Sequence, residues 1–141
     1  MAYSTKADIL SYCSPEELAQ LSSEQGDIVD DKVVGKAITD ADSEIDSYLA
    51  VRFTVPVSPT PARVNQLSSQ IALYNLYSRR PAITMNDTVE TNYNNAVKFL
   101  QKVSEGSASI GIDPPPAATS TPKVKLTTGD RNFSNDKMTG Y

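Results

Sequence analysis

The sequence predicts an all-α protein, a small bundle of about five helices followed by an extended C-terminal arm. Two observations support this. Up to residue 106, apolar residues recur at three- and four-residue intervals in segments that begin with helix-capping residues. After residue 106 the composition shifts to Ser, Thr, Ala and Pro, which favours an irregular segment. With 141 residues, 39% of them hydrophobic, the chain fits one compact domain. We therefore predict a helical domain over residues 1–106 and a linker with an arm over residues 107–141.

Two short helices are predicted near the N-terminus. Thr5 begins the first as its N-cap, and the helix should end near Tyr12. Ser14 caps the second, and Pro15 occupies the first helical position, where its missing N–H costs nothing. Glu17 is expected to reach back to the cap and complete a capping box. Both helices are therefore defined by their first residues.

The third helix has the clearest periodicity. A polar loop over residues 22–30 precedes it, and either Asp30 or Asp31 caps it. We expect one face to pack inward and the opposite face to be solvated. The inward stripe comprises Val34, Ala37, Ile38, Ala41, Ile45, Tyr48 and Leu49; the solvated face comprises Lys32, Lys36, Asp40, Asp42, Ser43, Asp46 and Ser47.

Three prolines, at positions 56, 59 and 61, exclude a helix from residues 53–61 and favour an extended, semi-rigid strap. Thr60 and Pro61 then begin a fourth helix. Its apolar surface is wide, so we expect it to be central, with a second subunit as a candidate partner for its outer flank. One face comprises Val64, Leu67, Ile71 and Tyr74, and the flank comprises Ala72, Leu73, Leu76 and Tyr77.

The fourth helix should stop at residues 79–81, Arg-Arg-Pro. Cations at the negative end of a helix are explained by helix termination, and a phosphate-binding role is the alternative. Asp87 is predicted to cap a fifth helix, which Gly106 closes as a left-handed C-cap. The apolar stripe of that helix comprises Val89, Tyr93, Ala96, Val97, Leu100 and Val103.

Composition argues against most enzyme chemistry. The chain has no histidine and one cysteine, so Ser–His and Cys–His nucleophile pairs are excluded, and Cys13 is expected to be a packing residue. The acidic loop over residues 24–31 does not match the ligand register of an EF-hand. We predict no catalytic, cofactor-binding or metal-binding residue and no enzyme activity. No apolar run approaches the length that crosses a membrane, so we expect a soluble protein.

The arm is the predicted contact segment. Residues 123–127 alternate polar with apolar side chains, and later apolar residues are spaced along a polar stretch, as in tails that order on a partner. Its roughly 35 residues could span on the order of 100 Å at about 3.3 Å each. Together with the flank of the fourth helix, the predicted partner-binding residues are Val124, Leu126, Phe133, Met138, Tyr141, Leu73, Leu76 and Tyr77.

Several segments together resemble one known family. They are residues 5–10 (TKADIL), 40–56 (DADSEIDSYL, then RFTVP after two residues), 71–81 (IALYNLYSRRP) and 133–141 (FSNDKMTGY). The combination resembles the Mu-like bacteriophage head-completion or head-tail adaptor proteins. The resemblance covers nearly the whole chain and rests on the conjunction of the segments.

The resemblance implies a structural virion protein. Copies of such a protein form a ring, commonly of twelve, that binds the portal protein and a downstream neck or tail-completion protein. DNA then passes through the centre without specific binding, which suits a chain of net charge −4. The expected location is the host cytoplasm during assembly and the head-tail neck afterwards. An acidic helical nucleic-acid-binding or regulatory module is the main alternative, and an enzyme using acidic residues and a metal is a second.

Overall fold

The computed structural model describes residues 2–116 as five α-helices, and within that range there is no β-strand. The predicted all-α class and helix number are therefore confirmed. The helices are α1 (Lys6–Leu10), α2 (Pro15–Ser22), α3 (Asp31–Leu49), α4 (Ala62–Arg79) and α5 (Asp87–Glu105).

Most of the predicted helix starts are confirmed. Thr5 forms a complete capping box with Asp8, and its backbone N–H lowers the pKa of the Asp8 carboxyl. Ser14 caps α2 with Pro15 in the first turn, and Asp30 caps α3. Helix α1 ends at Leu10 with Ser11 as its C-cap, two residues before the predicted end near Tyr12.

Three predicted caps differ in detail. Pro61 itself occupies the cap position of α4, and no side chain caps that helix. Asn86, not Asp87, caps α5, because its side chain accepts the Thr88 N–H from one position earlier. The Glu17 carboxylate accepts a hydrogen bond from the Tyr77 hydroxyl, so it serves to join α2 to α4.

Helix α4 is central, as its wide apolar surface predicted. It packs against each of the other four helices and most extensively against α3 and α5. Leu67, Ile71 and Leu76 are fully buried along it. Burying such a side chain stabilises the fold by about 1.5–3 kcal/mol. The core is therefore organised around this one helix.

The proline-rich segment after α3 is not the extended strap that was predicted. It has no helix, as expected, but it bends and contains cis peptide bonds at Val55–Pro56 and Ser58–Pro59. Phe53 and Val57 are buried against the helices. The segment bends because these two side chains pack into the core, so it is part of the body.

Two arginines stabilise helix C-termini in other parts of the chain. The Arg52 guanidinium donates to the Val103 carbonyl at the end of α5, at 3.3 Å. The Arg79 guanidinium donates to the Leu21 and Ser22 carbonyls at the end of α2, also at 3.3 Å. Cations are favourable at these negative helix ends. The structure thus gives Arg79 a stabilising role at α2 as well as a place at the end of α4.

The packed body continues beyond Gly106, where the linker was predicted to begin. Gly106 has φ +90° and forms the predicted left-handed C-cap of α5. Ile110, four residues later, is only 2% exposed and belongs to the core. Ile110 is an apolar anchor within a Ser-rich composition, and the predicted domain boundary at residue 106 stays a prediction. Residues 117–141, most of the predicted arm, lie outside the described residues.

Two glycine substitutions should have opposite effects on stability. Gly106→Ala is expected to destabilise the fold by about 1 kcal/mol or more, because φ is positive and a new Cβ would lie 3.3 Å from the Arg52 guanidinium. Gly35→Ala should stabilise it by about 0.5–1 kcal/mol, because that glycine lies inside α3 with nothing within 4 Å of the new Cβ. Urea unfolding followed by circular dichroism measures both changes, and equal effects would contradict the prediction.

Candidate interaction surfaces

The predicted contact flank of α4 is buried within the chain. Leu73, Leu76 and Tyr77 are 4%, 1% and 4% exposed, because the other helices cover them. The other helices therefore cover most of each of these side chains, and their predicted contact with a second subunit stays a prediction. The other predicted partner-binding residues lie outside the described residues: Val124, Leu126, Phe133, Met138 and Tyr141.

A buried group of polar side chains lies beneath the N-terminus. We call Tyr3, Ser4, Asp42, Asp46 and Ser68 the N-terminal polar cluster. The two Asp42 oxygens accept hydrogen bonds from the Tyr3 N–H at 3.0 Å and from the Ser68 hydroxyl at 2.6 Å. The Ser4 and Ser68 hydroxyls are 2.7 Å apart. The cluster thus connects the N-terminal segment to both α3 and α4.

The Tyr3 side chain extends the cluster to the proline-rich segment. Its hydroxyl donates to the Asp46 carboxylate and accepts the Val57 N–H at 2.9 Å. Burial and the Asp46 hydrogen bond raise the pKa of the Tyr3 phenol to about 12. Burial also raises the pKa of the Asp42 carboxyl. These polar groups satisfy one another, so we assign the cluster a structural role.

Asp42 was predicted to lie on the solvated face of α3, and this prediction was wrong. Asp42 is 8% exposed, because the N-terminal segment folds over α3 and covers it. A helical spacing contained the relevant signal: Ile38, Asp42, Ile45 and Leu49 follow one another at intervals of four, three and four residues. Tyr3 was missed because it precedes the first helix and belongs to no periodic pattern.

The exposed surface has a prominent apolar residue in an acidic loop. Ile28 is 77% exposed and lies in the loop between α2 and α3, which we call the Ile28 loop (residues 23–30). Gly26 turns the loop with φ +75°, and the Asp30 N–H donates to the Ser22 hydroxyl at 3.0 Å. The loop is therefore anchored at its end, and it presents Ile28 to solvent among exposed acidic side chains, Glu24, Asp27 and Asp30.

A groove between α3 and α4 has the opposite electrostatic character. This α3–α4 groove has a volume of about 370 Å³. Its apolar floor is formed by Val33, Ala37 and Leu76, and its rim includes Lys32, Lys36, Asp40, Asn75 and Arg79. Lys36 forms an ion pair with Asp40 one turn away. Among residues 2–116, neither Lys32 nor Arg79 has a carboxylate within ion-pair distance. The groove is thus a basic site on an acidic protein.

A third exposed region lies at the other end of α3. Val51 is 68% exposed immediately after that helix. Residues 114–116, the triple proline, line a shallow cleft with residues 50–54. The last described residues therefore lie beside Val51.

The structure gives Cys13 a packing role. Its thiol is partly buried and lies 3.6 Å from the Ile9 carbonyl. Burial and the nearby Glu17 raise the pKa of this thiol to about 11, which opposes formation of a reactive thiolate. Within the described range, no three acidic, cysteine or histidine side chains are grouped as metal ligands. None of the five helices is both long and apolar enough to span a membrane.

The fold and its surfaces define a small all-α body with separate exposed apolar regions, and comparison with known proteins gives its family. The sequence profile described as Bacteriophage Mu, Gp36 matches residues 3–127. This chain belongs to the bacteriophage Mu Gp36 family. The match includes all five helices and continues into the segment beyond Pro116.

Two curated relatives support the assignment. The Mu-like prophage FluMu protein gp36 of Haemophilus influenzae is 33% identical over 97 residues, 69% of this chain and 64% of the relative. Gene product J of Escherichia phage Mu is 29% identical over 90 residues, 64% of this chain and 61% of the relative. The chain thus spans slightly less than two thirds of the length of either relative.

Proposed function

We propose that this chain is a head-tail connector subunit, whose copies form a ring beneath the portal and join the capsid to the tail. The observation on which the proposal depends is membership of the phage Mu Gp36 family over residues 3–127. In this role the chain acts by binding portal, neighbouring copies and a downstream neck protein. A ring of twelve is the expectation from the family resemblance.

The exposed surfaces support such a role. The Ile28 loop and Val51 lie at opposite ends of α3, so one subunit presents two separate apolar contacts. A structure that joins two larger bodies needs contacts on at least two sides. A ring repeats each modest contact in every subunit, and the repetition gives high avidity without any single strong site.

Removing the protein from its phage should block the joining of heads and tails. We expect lysates of a phage with a stop codon in this gene to contain separate heads and tails by electron microscopy, and a plasmid copy to restore whole particles. Purified portal should also retain the purified chain on a column. Normal numbers of tailed, infectious particles without the protein would overturn the proposal.

The arm should be needed for joining but not for folding. A chain that ends at Pro122 is expected to keep its helical circular dichroism spectrum and to fail to complement the defective phage, because it lacks the apolar residues of the arm. Val124→Ser with Leu126→Ser should reproduce much of this loss. Thr127→Ser with Thr128→Ser is the matched control in the same segment and should complement normally. Full complementation by the truncated chain would contradict the prediction.

A further inference from the structure

We propose that the α3–α4 groove of one copy receives the Ile28 loop of a second copy. This inference deepens the proposed function and rests on its premise that copies of the chain meet, but the proposed function does not say which surfaces do so. The two partners are both part of the described body. Three properties make the loop and the groove complementary: their apolar surfaces, their opposite charges and the fixed conformation of the loop.

The apolar surfaces are complementary in form. Ile28 is the most exposed of the large hydrophobic side chains in the described part of the chain, and it projects from a loop. The groove is concave, and its apolar floor is formed by the partly exposed Val33 together with Ala37 and Leu76, which are mostly buried. Placing Ile28 in the groove would remove apolar surface of both from water, which favours association. Ile28 does not line the groove of its own chain, so this contact requires a second copy.

The charges are also complementary. The loop has exposed carboxylates at Glu24 and Asp27, and the groove has cations at Lys32, Lys36 and Arg79. Within residues 2–116, neither of these carboxylates has a cation within ion-pair distance. Neither Lys32 nor Arg79 has a carboxylate within that distance in the same range. The loop combines these exposed carboxylates with the exposed Ile28 side chain, so it offers the groove both charge and apolar surface.

The loop needs little rearrangement to bind. The Ser22 hydroxyl holds its C-terminal end through the Asp30 N–H, and Ser23 accepts the Gln25 N–H at 3.3 Å near its start. Gly26 provides the left-handed turn between them. A segment that is already ordered loses less conformational entropy when it binds. The loop is thus a preformed ligand for the groove.

Charge reversal on each side tests the pairing. The loop variant is Glu24→Lys with Asp27→Lys, and the groove variant is Lys32→Glu with Lys36→Glu. In sedimentation velocity at low salt, wild type should self-associate as its concentration rises. Each variant alone should associate at least tenfold more weakly. An equimolar mixture of the two should recover association, because the reversed loop then meets the reversed groove.

Controls separate the pairing from general effects of charge. Glu90→Lys with Glu105→Lys makes the same charge change as the loop variant on the exposed side of α5, and it should associate at least as well as wild type. Ile28→Ser should weaken association without changing the circular dichroism spectrum, because the side chain is exposed. Unfolding of any variant would also show in that spectrum. The mixture remains decisive, since only correctly folded partners can restore association.

Several results would overturn the inference. They are a wild type that stays monomeric at every concentration, an Ile28→Ser variant that associates normally, or a mixture that associates no better than its components. Association that needs residues after Pro122 would indicate that the arm occupies the groove instead. The proposed function has its own test, and it would be overturned if phage without the protein still joined heads to tails. Its failure and that of the loop-in-groove contact are therefore distinguishable.

Discussion

Asp42→Ala is expected to lower the free energy of unfolding by about 2–4 kcal/mol. The substitution removes the acceptor of the buried Tyr3 N–H and of the Ser68 hydroxyl, and an unsatisfied buried donor costs about 1–3 kcal/mol. Two effects limit the loss. Ser68 keeps its contact with Ser4, and the raised pKa of Asp42 shows that its burial as an ion is itself unfavourable.

Urea unfolding of matched variants measures this effect. Asp40→Ala is the control on the same helix, because Asp40 is exposed and its ion pair with Lys36 should contribute under about 1 kcal/mol. Asp42→Asn should lose less than Asp42→Ala, since the amide keeps an oxygen acceptor and its NH2 group faces a serine hydroxyl that can accept. Equal losses for Asp42→Ala and Asp40→Ala would show that the cluster does not hold the N-terminal segment.

The protein should lose stability as the pH rises from about 10 to 12. The pKa of Tyr3 is raised to about 12 in the fold, mainly by burial, and the ordinary value is 10. The phenol is therefore protonated more strongly in the folded state than in the unfolded state. Its contribution is complete below pH 10 and is lost as the pH rises through 12, by about 2–3 kcal/mol for a shift of this size. Tyr93, whose pKa burial and Glu44 raise to about 12, acts in the same direction.

Tyr3→Phe separates this titration from other alkaline effects. The variant should be less stable than wild type at pH 7, because the Val57 N–H loses its acceptor. Its stability should then fall less steeply between pH 10 and 12. Urea midpoints measured across that range test both statements. Parallel curves for the two proteins would contradict the assignment of the shifted pKa to Tyr3.

Local chemistry made most of the helical fold predictable. Thr5, Ser14 and Asp30 cap helices because their side chains accept amides two or three residues away, and Gly106 ends one because it tolerates positive φ. Periodic apolar residues gave the core face of each long helix. These signals lie within a few residues of their effects, so a single sequence contains them.

The features that the sequence did not reveal depend on contacts distant along the chain. Tyr3 binds Asp46 and Val57, which are more than 40 residues away, and Arg79 binds α2 from the end of α4. The flank of α4 was recognised as apolar. The spacing of its apolar residues does not show whether the side chains that bury it belong to the same chain or to another. The exposure of Ile28 likewise follows from the folded path of the loop.

Helix α3 sets the distance between the two ends of the subunit. Its 19 residues have a length of about 28 Å, with the Ile28 loop before its first turn and Val51 after its last. Residues 114–116 lie beside residues 50–54, so the last described residues are a full helix length from the Ile28 loop. Under the proposed function, one partner can therefore cover Val51 while another covers Ile28, because a helix of about 28 Å lies between them.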